Sequence, residues 1–177
     1  MASFVLSLIG SDRTGLVEAI SDVVTDHGGN WERSHLGELA GVFAGVVQVR
    51  VPDAAADDFR RALEPLGDLG LFDIALHEGA HDATDRGGGT ELAFELVGND
   101  RPGIVHDVSH LLASLDVSIA ELETWTSSAP MAGGVLFHAN ALVRLPGSLE
   151  VDALVDHLEG LAHELMVDLT PTASPSG

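Results

Sequence analysis

The chain has 177 residues, 45% of them hydrophobic, and no cysteine, which excludes a disulfide framework, a thiolate metal site and a cysteine nucleophile. Against 28 acidic residues stand 8 basic ones, all arginine, for a formal net charge of −20; such a surface repels phosphate backbones, so no direct nucleic-acid partner is expected. No apolar run approaches the roughly 20 residues that span a bilayer and no signal sequence opens the chain, so no membrane partner is expected and the expected compartment is the cytoplasm.

Phe4, Leu6 and Leu8 alternate with Val5, Ser7 and Ile9, the period of a strand. Leu16, Ala19, Ile20, Val23 and Val24 then recur at helical spacing, and Gly28-Gly29 stops that helix. A second strand is expected from Asn30 to about Leu39, a turn at Ala40-Gly41, and a third strand whose face carries Phe43, Val47, Val49 and Val51 before Pro52 ends it. Asp57 to Leu66 reads as a second helix and Leu69 to His77 as a fourth strand, giving βαββαβ over residues 1–78. Residues 79–90, with Gly87-Gly88-Gly89 and no apolar periodicity, read as a linker.

The order then repeats over residues 91–170. Leu92, Phe94 and Leu96 replace Phe4, Leu6 and Leu8, while Ile104, Val108, Leu111 and Leu112 replace Leu16, Ile20, Val23 and Val24, all at an offset of 88. Pro52 corresponds to Pro146 at an offset of 94, so six residues have entered between the second and third strands, and Thr126–Gly134 is the expected enlarged loop. Leu149 to Leu161 reads as the second helix, Leu165 to Leu169 as the last strand, and a disordered tail is expected over 171–177.

One stretch recurs with particular fidelity. Gly10-Ser11-Asp12-Arg13-Thr14-Gly15-Leu16-Val17 returns as Gly98-Asn99-Asp100-Arg101-Pro102-Gly103-Ile104-Val105, each time between a strand and a helix. The first glycine is expected to end the strand, Asp12 or Asp100 to cap the helix, and Pro102 to suit the first turn. Gly15 and Gly103, without side chains, let a ligand or a backbone approach the unpaired N–H groups there. A phosphate-loop reading fails, because Leu16-Val17 and Ile104-Val105 stand where lysine and serine or threonine are required.

The turn pattern G-x-D-R-x-G-[LI]-V, followed by an amphipathic helix, resembles the ACT domain, the small-molecule regulatory module of amino-acid metabolism. The resemblance covers both units and implies an α+β protein: two tandem ferredoxin-like βαββαβ domains, each an antiparallel sheet with helices on one face. The tandem pair, with Thr126-Ser127-Ser128-Ala129-Pro130-Met131 ahead of Phe137, resembles the glycine cleavage system transcriptional repressor family. That resemblance implies an amino-acid effector, glycine or serine, held where the turn of one unit meets another unit. It also implies a protein partner such as a DNA-binding regulator. Each unit has potential edge strands that could pair with the other unit or with a second chain, and a homodimer is expected. The alternative is a stand-alone sensor that modulates a metabolic enzyme.

By the same resemblance the ligand-binding residues are Asp12, Arg13, Thr14, Gly15, Leu16 and Asn30, with Asn99, Asp100, Arg101, Pro102, Gly103 and Ile104 in the second copy. Asn30 has Ser118 as its counterpart, so the first turn is expected to matter more for binding. Each residue also has a plainer role: the aspartates as caps, the arginines as partners of nearby carboxylates. His106 and His110, four apart, have zinc-ligand spacing but lie off the apolar stripe, so no metal and no cofactor are expected. Scattered serines, histidines and acids form no catalytic constellation, so no enzymatic activity is expected.

Overall fold

The alternating run at the start of the chain forms strand β1 (Ala2–Ser11) of a computed structural model that describes residues 1–68, 73–78, 90–129 and 134–172. After it come α1 (Leu16–Asp26), β2 (Asn30–Leu39), β3 (Val42–Val51), a single 3-10 turn (Asp53–Ala55), α2 (Ala56–Asp68) and β4 (Asp73–Glu78). The second set is β5 (Glu91–Asn99), α3 (Ile104–Ser114), β6 (Ser118–Ser128), β7 (Val135–Arg144), α4 (Val151–Leu165) and β8 (Val167–Thr172). Each set makes a four-stranded antiparallel sheet, ordered β2-β3-β1-β4 and β6-β7-β5-β8. The fold is α+β, a ferredoxin-like βαββαβ arrangement used twice.

The chain divides into two compact units, Met1–Thr84 and Asp85–Gly177. In the first, Phe4, Leu6 and Leu8 of β1 and Val47, Val49 and Val51 of β3 turn one sheet face toward Leu16, Ile20 and Val24 of α1 and Phe59, Leu63 and Leu66 of α2. The second repeats this with Leu92, Phe94 and Leu96, Ala139, Ala141 and Val143, and the apolar stripes of α3 and α4. Helices therefore lie on one face of each sheet, and among the described residues of the same unit no helix packs on the other face.

Phe59 is the largest contribution of α2 to the first core. It is fully buried, and its ring meets Phe4 at 5.6 Å and His27 edge-on at 5.9 Å between centroids. Phe59→Ala removes these contacts and leaves a cavity, with an expected loss of about 3–5 kcal/mol. Chemical denaturation should show the first unit's transition moving to markedly lower urea.

Several boundaries differ from the sequence reading. Leu165 closes α4 and Met166 adopts a left-handed conformation (φ 54°), so the last strand starts at Val167 and extends to Thr172, into the expected tail. Thr126–Ser128 belong to β6 instead of the enlarged loop, and the Ala129 N–H to Gly134 carbonyl bond of 3.0 Å closes that loop. Its tip, 130–133, lies outside the described residues, as do Leu69–Phe72 at the expected start of β4, the linker except Thr90, and 173–177. Gly10 and Gly98 lie within their strands, one residue short of the ends. At Gly98 the reason is space: a Cβ there would sit 2.4 Å from Val167 Cγ1 of the paired strand β8.

Candidate functional site

The two strand-to-helix turns are built alike. In each, the aspartate N–H is held by the hairpin beside it: Asp12 donates to the Gly41 carbonyl at 3.0 Å, and Asp100 to the Val135 carbonyl at 2.8 Å. Neither aspartate side chain caps its helix, contrary to the sequence reading. The capping residue is the glycine, Gly15 at φ 90° and Gly103 at φ 98°, and neither helix has a side-chain cap bond. The left-handed backbone swings the chain sharply into the helix, and a side chain on that backbone is strained. Gly15 and Gly103 then begin the helical ladder, their carbonyls accepting from Ala19 at 3.0 Å and Asp107 at 2.9 Å.

Asp12, Arg13, Thr14 and Gly15 are exposed, as are Asn99, Asp100, Arg101, Pro102 and Gly103, while Leu16 and Ile104 are buried in their cores. An exposed turn thus hangs from one buried aliphatic anchor. Because glycine carries no capping oxygen, the N–H groups of the first helical turn lack the usual side-chain cap, and they form the positive end of the helix dipole. A carboxylate is the ligand such a turn favours.

That turn already has an anion near it. Carboxylate oxygens of Glu18 and Asp107 lie 3.9 Å from where a Cβ on Gly15 or Gly103 would be. Asp107 also pairs with Arg101 at 3.8 Å; both are well exposed, and such a pair contributes no more than ~1 kcal/mol. Sequence reasoning missed these carboxylates because they fall at different register positions in the two copies.

Asn30 is not brought to the turn of its own unit. It opposes Arg50, which opposes Ser3 near the start of β1, while the turn follows Ser11 at the other end. Eight strand steps separate them, about 27 Å. Ser118 occupies the same far end of the second sheet, opposite Arg144. The enlarged hairpin of the second unit, by contrast, lies beside its own turn, tethered through Asp100 and Val135. In the first unit that place is a tight two-residue turn, Ala40 (φ 53°) and Gly41 (φ 81°).

His106 and His110 are exposed and stack at 6.2 Å, and no group of three or more metal-ligating side chains occurs among the described residues. No helix among the described residues is long and apolar enough to cross a membrane.

A family model for the ACT domain matches residues 2–71, the unit that carries the first turn. A solved structure of an unknown protein from Galdieria sulphuraria superposes with a TM-score of 0.81 at 33% identity, covering 96% of both chains. The chain belongs to the ACT-domain family. It is a tandem ACT protein, since the second unit repeats the topology, turn and core of the first. The UPF0237 protein of Methanopyrus kandleri is 34% identical over 89 residues, which is 49% of this chain and 99% of that one. A protein provisionally assigned as a glycine cleavage system transcriptional repressor shares the fold over 97% of this chain and 96% of its own, with a TM-score of 0.70 and 16% identity.

Proposed function

We propose that this tandem ACT protein senses an amino acid and regulates transcription of glycine cleavage or amino-acid metabolism through a protein partner, such as a DNA-binding regulator, without being an enzyme. The observation that carries the reading is the recurrence of an exposed, glycine-capped turn with uncapped helix N–H groups in both ACT units. It is supported by the shared tandem fold of the provisionally assigned repressor and by the net charge of −20, which suits a protein partner better than DNA. In this reading Asp12 to Leu16 and Asn99 to Ile104 form the effector turns. The N–H groups take the carboxylate of glycine or serine, and the amide of Asn30 on another unit takes its ammonium group. A homodimer is part of the proposal.

Calorimetric titration of the full chain across the amino acids tests it. Glycine or serine should release heat saturably, and duplex DNA should show no retention at ~150 mM salt. Silence from every amino acid, or sub-micromolar DNA binding, would overturn the reading.

The carboxylates beside the turns give a finer test. An effector carboxylate must approach against Glu18 or Asp107, so Glu18→Gln and Asp107→Asn should each tighten effector binding by roughly 2–5-fold, the scale of one charge at a helix terminus. The gain should shrink as salt is added. Weaker binding in both variants would make these carboxylates part of the receptor.

A further inference from the structure

The helix-free faces of the two sheets have diverged in a way that the shared fold does not require. On β7 the residues Phe137, Ala139, Ala141 and Val143 turn to the core, so His138 and Asn140 lie on the open face. His138 pairs with Trp125 of β6, their rings stacked 5.0 Å apart and within 3° of parallel, and the Ser127 hydroxyl bonds His138 Nε2 at 2.8 Å. In the adjacent row Asn140 stands between Glu123 of β6 and Glu95 of β5. Trp125 remains 40% exposed.

The corresponding positions of the first unit read Gly37 for Trp125, Ala44 for His138, His35 for Glu123 and Ser7 for Glu95. A stacked indole and two carboxylates have thus been placed on one copy alone, where no core contact calls for them. An exposed aromatic face beside carboxylates suits a cation, above all a guanidinium that stacks on the ring while its N–H groups reach the acids. Within the same face Arg144 is committed to Glu91 at 2.8 Å.

We infer that the open face of the second sheet is the docking surface for the protein partner, and that its occupant is a basic segment presenting an arginine or lysine over the Trp125–His138 stack, its charge met by Glu95 and Glu123. This rests on the proposed regulation through a partner and says where on the chain the partner sits. Charge complementarity singles out a basic occupant and repels nucleic acid or an anionic membrane from the same face.

The chain holds two tryptophans, so a Trp31→Phe background makes Trp125 the sole reporter. Penta-arginine, titrated into that full-length protein at ~150 mM salt, should change Trp125 fluorescence saturably, and penta-glutamate should not. Glu95→Gln with Glu123→Gln should weaken penta-arginine binding at least tenfold, and Trp125→Leu, read by calorimetry, at least fivefold. Asp152→Asn with Asp156→Asn removes the same charge from exposed positions on α4 and should weaken it less than twofold. Equal weakening by both charge pairs, or no tryptophan signal at saturation, overturns the docking surface. The regulatory reading is judged separately: amino-acid binding that survives such a failure leaves it standing, and its absence removes it whatever penta-arginine does.

Discussion

Gly45→Ala is expected to unfold the first ACT unit while the second stays folded. A Cβ on Gly45 would sit 2.0 Å from the His35 carbonyl oxygen and 2.8 Å from Leu36 Cα, both backbone atoms of the paired strand β2. No rotamer relieves such a clash, so β2 must part from β3 at the middle of their ladder. A cost of about 4 kcal/mol or more follows, most of what an ~80-residue domain has to spare. Each unit has its own hydrophobic cluster, so dispersed resonances of Phe94, Leu112 and Leu154 should survive when those of Phe4, Ile20 and Phe59 collapse. Gly37→Ala, with nothing within 4 Å of its Cβ, is the matched control and should be nearly silent. A wild-type melting profile for Gly45→Ala would mean that the strands separate more cheaply than this ladder implies.

Gly15→Val and Gly103→Val are expected to act on both stability and effector binding, and the stability loss is conformational in origin. Around both glycines there is room, the nearest atom being a carboxylate oxygen 3.9 Å from the added Cβ. The backbone at φ 90° and 98° instead forces a β-branched residue into the left-handed region, at about 1–3 kcal/mol. Lower stability is therefore expected together with lost effector binding, and Gly15→Asn and Gly103→Asn separate the two. Asparagine tolerates the left-handed region far better than valine yet still blocks the approach to the N–H groups. Asparagine variants that fold nearly as well as wild type but bind at least tenfold more weakly would place the effector at the turns. Full binding in all four variants would place it elsewhere.

Which copy suffers more carries further information. The preference for the first turn rests on Asn30 having Ser118 as its counterpart, and Asn30 lies about 27 Å along the sheet from the turn of its own unit. A larger loss at Gly103 would make the second turn the principal effector turn. A larger loss at Gly15 would make it the first.

The repeat made most of the fold legible, because one offset carried strand, turn and helix together and the apolar periods of Phe4–Leu8 and Leu92–Leu96 left little choice of face. Chain ends of elements were less legible: the helical pattern fades into β8 because Leu165 and Val167 are both apolar and only the left-handed Met166 divides them. At the site, Asp12 and Asp100 are good capping residues by type, but a glycine directly before the first buried helical residue took that position in both copies. The distance between Asn30 and its turn follows from topology, since a helix that returns antiparallel to β1 delivers the next strand to the far end. Trp125 and His138 meet only through the register across a hairpin enlarged by six residues, which local spacing does not reveal.

Each sheet ends in an exposed strand, β2 or β6, and both are broken at the same place: the register slips between Trp31 and Arg33, and again between Ile119 and Glu121. A bulge twists the edge and interrupts its row of donors and acceptors, so a foreign strand cannot zip along it in regular register. With mutual repulsion from the acidic excess, this hinders cross-chain pairing along these two edges, while β4 and β8 at the opposite edges carry no such break. Restoring a continuous edge by deleting Glu32 or Ala120 would convert the strand into a seed for aggregation.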